Sequence, residues 1–279
     1  MKRTDRIKLD FTRNWKLPGK ERLSHWLKPS GKSKLDIKDG IAWLSNEDIA
    51  IYVNSDSYIE WTVLSTGTYE EEMNRLIRVS LKNGKNALDV GGNIGLQSIR
   101  MSQCVGDKGK VFAFEPLIYL QEKFTRNMLL NKVANVTLFP FALADEEGQG
   151  DFTIDEKSWN QGDFSLLSKV EGAKKQHVNI KVADNIPEIK DLDSLDLIKI
   201  DVEGFEYQVL LGLKQTLEKH KPRIIFEYDT NYWAPGQMTE CYSFLKSLNY
   251  MVYQITPVCC ELVNYAEGIL GGNLFCIPA

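Results

Sequence analysis

The sequence predicts an α/β fold built on a mostly parallel sheet, and three observations carry that reading. Strand-like and helix-like segments alternate from residue 86 to about 248, the pattern of a parallel sheet covered on both faces. A turn with little side chain, "DVGGNIG" (89–95), follows the first of these strands and opens a helix. The last two strand-like segments, "YMVYQI" and "NLFCIP", can pair as a closing antiparallel hairpin across a loop at 256–271. The 279 residues, 43% hydrophobic and 26% charged, suffice for one large domain with an appendage or for two small ones.

Residues 1 to about 35 are basic and broken by Pro18, Gly19, Pro29 and Gly31, so they read as short helical pieces and loops. "GIAWLSN" and "AIYVNSDSYIEWTVL" are rich in β-branched and aromatic residues and read as short strands. "TYEEEMNRLIRVSLKNG" places Met73, Leu76, Ile77 and Leu81 at helical spacing and stops at Gly84. "NALDV" is then strand one, "IGLQSIRMSQC" a short helix and "KVFAFE" strand two. "IYLQEKFTRNMLLNKV" is a helix with Leu120, Phe124, Met128 and Leu129 on one face, and "NVTLFPFAL" is strand three. Residues 146–190 break the rhythm and read as a β-rich insertion. "LDLIKIDV" is strand four, "EYQVLLGLKQTLEK" a helix and "PRIIFEYD" strand five, followed by a helix from about Met238 to Leu248. The expected division is a basic N-terminal arm over 1–66 and one domain over 67–279.

Charge is unevenly spread. Residues 1–34 carry eleven Lys/Arg against three Asp/Glu, a net +8, which leaves −12 for the remainder of a chain whose net is −4. Such an arm suits RNA, an anionic membrane surface or an anionic glycan carrier. It can equally pack on its own domain or on a second subunit, leaving a homodimer open, and that reading is preferred because Trp15 and Trp26 fall on no clean amphipathic stripe. The charged start shows no secretory leader, and no window is apolar enough to span a membrane. Five cysteines without CxxC spacing suggest neither a zinc site nor a disulfide framework, so the expected setting is cytoplasmic.

In an open parallel sheet, ligands sit beyond the carboxyl ends of the strands. Gly91, Gly92 and Gly95 clear side chains at such an end, and the next helix offers unpaired N–H groups. The dinucleotide fingerprint G-x-G-x-x-G fails from either first glycine, since its frames read Gly91–Asn93–Leu96 and Gly92–Ile94–Gln97. A P-loop fails as well, for want of G-K-[S/T]. The remaining pattern is Asp89, Gly91 and Gly95 in D-x-G-x-x-x-G. Strand two ends in Glu115, twenty-six positions after Asp89, where an acid reaches both hydroxyls of a ribose.

With these features in place, the sequence resembles the FkbM family of S-adenosylmethionine (SAM)-dependent methyltransferases. "ALDVGGNIG", "VFAFEP", "NMLLN", "FALAD", "LIKIDVEGFEYQVL" and "PRIIFEY" carry the resemblance over about residues 67–230, and "KIDVEGFE" is its most specific part. It implies a Rossmann-like class I methyltransferase fold with a seven-stranded, mostly parallel sheet of order 3-2-1-4-5-7-6, and O-methylation of sugar or natural-product hydroxyls. Position 92 is Gly where such loops often carry Ala, and residues 1–60 find no match. By this resemblance Asp89 and the 91–95 backbone, with Gly91, Asn93 and Gly95, face the methionine part of SAM. Glu115 takes the ribose hydroxyls. Pro116, Ala142 and Leu143 line the adenine slot, with Asp145 near the adenine amine or capping a turn. Glu70 matches a family position near the methionine moiety, or is an exposed acid in the first turn of a helix.

Methyl transfer requires an aligned acceptor oxygen and a base for its proton. Only His25, His177 and His220 exist. His220 reads as a surface residue at a helix end, and His177 as a solvated strand residue. Carboxylates are plentiful: Asp201 and Glu203 follow strand four, Glu227 and Asp229 end strand five, and adjacent strand ends share one crevice. Asp201 is expected to touch both SAM and the acceptor, with Glu203 or Glu227 accepting the proton. The same oxygens could hold Mg²⁺, but spacing does not separate a metal cage from a proton relay, and a divalent metal is not predicted. Trp159, Asn160, Gln161, Phe164 and His177 of the insertion, with Tyr232 and Trp233, are candidates for choosing the acceptor, a small molecule or glycan. Two other readings remain: a nucleic-acid methyltransferase guided by the basic arm, disfavoured because strand four ends in "IDVEG" rather than an N-P-P-Y-like motif, and a nucleotide-binding module without catalysis.

Overall fold

The computed structural model describes residues 3–15, 19–26, 37–154, 174–269 and 271–279. In chain order these form α1 (Arg3–Arg13), α2 (Lys20–Trp26), β1 (Gly40–Trp43), β2 (Ala50–Val53), α3 (Tyr58–Thr66), α4 (Glu71–Ser80), β3 (Asn86–Val90), α5 (Leu96–Val105), β4 (Lys110–Phe114), α6 (Ile118–Leu130), β5 (Val136–Phe139), β6 (Ala142–Leu143), β7 (Gly148–Ile154) and β8 (Lys174–Lys181). They continue through α7 (Pro187–Lys190), β9 (Leu197–Ile200), α8 (Glu206–Gly212), α9 (Lys214–His220), β10 (Arg223–Tyr228), α10 (Gln237–Ser247), β11 (Tyr250–Ile255), β12 (Cys260–Val263) and β13 (Gly272–Pro278).

The central sheet has the order β12-β11-β13-β10-β9-β3-β4-β5. From β5 to β10 neighbours run parallel, while β13, β11 and β12 are antiparallel. This is the expected 3-2-1-4-5-7-6 order with one strand added. β12 lies in the stretch read as a loop. It is short, half of it is exposed, and it pairs only along β11, so its own residues give little period-2 signal. Alternation across the sheet builds two core layers. Leu88, Val90, Ile198, Ile200, Ile224 and Phe226 join one cluster with residues of α8, α9 and α10. Ala87, Val111, Leu197 and Ile225 join another with Met73, Ile77, Met101 and Val105 of α4 and α5.

Three expectations are corrected. "NVTLFPFAL" is not one strand: β5 stops at Phe139, and past Pro140, which has no N–H to give a ladder, Ala142–Leu143 joins β8 and β7 in a separate three-stranded sheet. "AIYVNSDSYIEWTVL" is a strand only through Val53. Asn54 Oδ1 accepts from Asp56 N at 2.9 Å, a turn that ends the strand, and α3 follows with Glu60–Val63 wholly buried. Its β-like composition reflects burial on nearly every side rather than an extended backbone. "EYQVLLGLKQTLEK" is two helices. A Cβ on Gly212 would lie 2.2 Å from Ala144 O, and Asp184 caps the restart by accepting from Gln215 N (2.7 Å) and Thr216 N (2.9 Å).

The N-terminal elements are built onto the sheet. Ala42, Leu44, Ile49, Ile51 and Val53 share one core cluster with Ile94, Leu96, Ile99 and Phe124. The two asparagines of "NMLLN" serve the edge of β2: Asn127 Oδ1 accepts from Tyr52 N (2.9 Å) and Asn131 Oδ1 from Ala50 N (3.0 Å). Arg100, fully buried on α5, donates to Glu47 through Nε (2.8 Å) and Nη2 (2.6 Å), tying the β1–β2 turn to the sheet's helices. Thr12 donates to Ser65 O (2.7 Å) and Arg13 to Leu64 O (2.9 Å), so α1 rests on α3. Among the described residues no helix is long and apolar enough to cross a membrane.

Candidate active site

β3 lies between β4 and β9, so the turns after these three strands converge at one sheet end. A cavity of about 430 Å³ opens there. At its centre, Gly91 N and Gly92 N both donate to Phe114 O (3.0 and 2.9 Å), folding the β3 turn toward β4. Gly91 has φ +82°, and a Cβ there would lie 1.8 Å from Asp201 O, so only glycine lets this turn pass the end of β9. Gly95 (φ +86°) does not line the cavity; a Cβ there would strike Met128 Cε at 2.6 Å, so its bareness serves the packing of α5 on α6.

Glu115 lines the cavity and is 4% exposed. Its Oε2 accepts from Asn93 N and its Oε1 from Leu117 N, both at 2.9 Å. Burial pushes this carboxyl up to about 7, against the two backbone donors that favour its charged form. Each oxygen keeps acceptor capacity for one more hydroxyl. Pro116, Ala142 and Leu143 also line the cavity, joined by Phe114, Leu117 and Phe152. The β7–β8 hairpin is fixed to this wall, since Gln176 Nε2 donates to Pro116 O at 2.8 Å. Asp145 is exposed and lines nothing here, which removes it from the adenine slot.

Asp89 is buried beneath the turn and does not line the cavity. Its Oδ2 accepts from Ser98 Oγ at 2.5 Å, and its Oδ1 lies 3.4 Å from Lys199 Nζ. The register explains the pair, because Asp89 and Lys199 sit side by side on parallel strands. Lys199 Nζ also donates to Gly91 O (2.8 Å) and lies 3.3 Å from Asp201 Oδ2. Burial lowers the basicity of this ammonium, but Asp201, Asp89 and Glu70 outweigh it and the net shift is upward, so the charge is held. Asp89 thus acts on the site through Lys199 and the turn. Sequence reasoning missed Lys199, although "LIKIDV" sets a lysine between buried strand positions.

Asp201, Glu203 and Glu227 all face the cavity, with Glu70 opposite in chain order but within the same lining. Burial, then Asp201, raises the Glu70 carboxyl to about 7, and Gln97 Nε2 donates to it at 2.6 Å. Glu227 is raised well above the carboxylate range by burial, then by Asp201 and Glu70. Glu70, Asn93 and Glu203 have positive φ (47°, 48° and 55°) without being glycine, and all three line the cavity. The 201–205 turn is held by Glu206, missed in the sequence despite closing "KIDVEGFE". It accepts from Val202 N (2.9 Å), Gly204 N (3.1 Å) and Trp233 Nε1 (2.8 Å), and burial raises it to about 7.

Of the residues expected to select the acceptor, Tyr232 lines the cavity. Trp233 does not: it is buried and stacks on Phe226 with centroids 6.2 Å apart. His177 is exposed, between Asp151 Oδ1 and Gln149 Oε1 at 2.9 Å each, away from the cavity. Trp159, Asn160, Gln161 and Phe164 lie outside the described residues. The lining adds Tyr58, Tyr69 and Asn231, which no sequence pattern had singled out. No described histidine lines the cavity, and no three described His, Cys, Asp or Glu side chains are arranged to hold a metal ion.

The chain is similar to several known proteins. The chain is 28% identical over 165 residues to the 2-O-methyltransferase NoeI of Sinorhizobium fredii, covering 54% of this chain and 66% of that protein. It is 27% identical over 151 residues to the hexuronic acid methyltransferase AglP of Haloferax volcanii, covering 53% and 58%. It therefore spans less than two thirds of the length of these curated relatives. The crystal structure of methyltransferase FkbM from Methylobacillus flagellatus aligns with a TM-score of 0.45 and 14% identity over 78% of this chain and 53% of that one. The profile of the Methyltransferase FkbM domain matches residues 89–252, more than half of the chain and the segment that builds β3 to β11. The chain belongs to the FkbM methyltransferase family and carries a SAM-dependent methyltransferase domain of class I fold.

Proposed function

We propose that this protein transfers a methyl group from SAM to a hydroxyl of a saccharide or another small hydroxylated metabolite. The observation that carries it is the meeting of Glu115, at the end of β4, and Asp201, at the end of β9, in one cavity with the Gly91 backbone between them. The residues fit SAM. Gly91 presents bare backbone to the cavity, Glu115 is oriented by two backbone donors with acceptor capacity to spare, and an apolar wall of Pro116, Ala142 and Leu143 suits adenine. Glu70 and Asp201 supply acceptors for the methionine ammonium.

When bound, SAM supplies a methyl carbon already activated by its sulfonium. The protein's own groups then handle the acceptor. Asp201 accepts a hydrogen bond from a neighbouring hydroxyl of the acceptor and so holds the reacting oxygen in line. Glu227, made more basic by its buried acidic surroundings, takes the hydroxyl proton, with Glu203 beside it in the lining. Lys199 offsets the standing negative charge of Asp89 and Asp201 beside the reaction path. The names of the relatives, a 2-O-methyltransferase and a hexuronic acid methyltransferase, support a saccharide acceptor. Tyr58, Tyr69 and Tyr232 offer ring faces and Asn231 an amide, which suits a sugar.

Isothermal calorimetry tests the reading. SAM should bind saturably, and Glu115→Gln should weaken it roughly tenfold or more, the loss of a charged acceptor to a ribose hydroxyl. Absence of heat at high SAM concentration would remove the catalytic reading, and unchanged affinity in the variant would remove the ribose assignment. Formation of S-adenosylhomocysteine with a panel of saccharides then reads the acceptor class.

A further inference from the structure

We propose that the N-terminal helices form a docking surface for an anionic lipid bilayer. One face of α1 is turned inward: Leu9 packs with Trp61, Thr12 bonds Ser65 O, and Arg13 donates to the carbonyls of Val63, Leu64 and Trp43. The opposite face carries Ile7 and Phe11, one helical turn apart and 59% and 52% exposed. Trp26, at the end of α2, is 80% exposed. Eleven large apolar side chains are exposed among the described residues, and five of them lie between residues 7 and 43, the other two being Ile41 and Trp43 of β1. Three of these solvent-facing apolar groups, Ile7, Phe11 and Trp26, lie within the strongly basic residues 1–34, and Ile41 and Trp43 follow shortly after. Arg6, Lys8 and Arg22 are exposed on the same two helices, and residues 1–34 carry net +8 against −12 elsewhere.

Cations flanking exposed aromatic and aliphatic side chains match the headgroup boundary of a bilayer, where charge meets anionic lipid and rings enter the acyl edge. A nucleic acid would answer the charge but gives aliphatic Ile7 and Ile41 no apolar partner. A second copy would bring the same positive arm against itself. The acidic remainder of the chain would be repelled by the lipid surface, which orients the protein arm-first. The surface is also continuous with the site: α3, on which both helices rest, contributes Tyr58 and Ile59 to the cavity, and His25 of α2 lies 5.0 Å from the Tyr58 ring. The docking proposal does not depend on the methyl-transfer reading.

Co-sedimentation of the full chain with vesicles tests it. Binding is expected to mixed phosphatidylglycerol–phosphatidylcholine vesicles, weakening as salt rises, with little binding to pure phosphatidylcholine. Lys8→Gln combined with Arg22→Gln should lower the partition by roughly 25-fold, about fivefold per cation. Phe11→Ser combined with Trp26→Ser should lower it roughly tenfold while leaving the melting temperature unchanged, because both side chains are exposed. If either double variant melts early, the salt and lipid dependence of the intact chain still decides. Equal binding to both vesicle types overturns the proposal, as does binding to neither. Binding to single-stranded RNA without vesicle binding, or a dimer that Trp26→Ser dissolves without vesicle binding, overturns it as well.

Discussion

Stability of the ligand-free protein should fall as pH rises from 5 to 7, and the site is the reason. Glu115 and Glu206 are 4% and 1% exposed, and burial raises both from 4.5 to about 7. The folded state therefore holds their protons in a window where the unfolded chain has released them. The stability they confer is fully present below 4.5 and is lost as pH rises through about 7. At about 1.4 kcal/mol per unit, each group accounts for up to about 3 kcal/mol, and the pair for a drop of about 10 °C in melting temperature at roughly 2 °C per kcal/mol. His220 works in the opposite direction, because burial and Lys219 lower its basicity, but it is one half-buried imidazole at the end of α9 and offsets only part of the fall. Thermal melts in a buffer series read the slope directly. Glu115→Gln removes one of the four raised carboxyls, Glu70, Glu115, Glu206 and Glu227, and should flatten the fall in part. SAM should also raise the melting temperature more at pH 7.5 than at pH 5, since it supplies partners to the charged form of Glu115. A melting temperature that climbs steadily from pH 5 to 7, or a slope unaffected by Glu115→Gln, would refute the claim that buried protonated carboxyls line this cavity.

Other perturbations separate chemistry from scaffold. Glu227→Gln should lower single-turnover methyl transfer by about 10²- to 10⁴-fold while SAM affinity measured by calorimetry is kept, the signature of a lost proton acceptor. Glu47→Ala leaves the guanidinium of Arg100 buried without its carboxylate and should cost about 3–5 kcal/mol in urea unfolding. Gly91→Ala would force a Cβ to 1.8 Å from Asp201 O at φ +82°, so SAM binding should be lost even where circular dichroism shows a folded protein.

Much of this architecture is legible in the sequence because β3, β4, β9 and β10 are buried on both faces, and such strands declare themselves as mostly apolar runs ended by an acid or a glycine. Glu115, Asp201, Glu203 and Glu227 were readable for the same reason, since a carboxylate at the end of an apolar strand must emerge at the ligand edge. Where burial surrounded an element, the periodicity vanished: α3 reads as a strand because almost no position on it faces water. β12 was illegible for the opposite reason, being an edge strand with two exposed residues that pairs with one neighbour. What no one-dimensional pattern carries is register. Asp89 was expected to meet the ligand, yet its partner is Lys199, 110 residues away and level with it on the next strand. That alignment turns a lysine in an apolar strand into the counter-charge of an acidic cavity, tied to Asp201 and to the carbonyl of Gly91. Backbone conformation is equally silent. Three of the six non-glycine residues with positive φ among the described residues, Glu70, Asn93 and Glu203, line this one cavity, although neither glutamate signals a left-handed turn. Each is bent out of its preferred conformation where it lines the ligand space, so the strain and the carboxylate cluster are two expressions of the same demand: acids brought closer together than either the backbone or their mutual repulsion would favour, and held there by Lys199 and Glu206 from below.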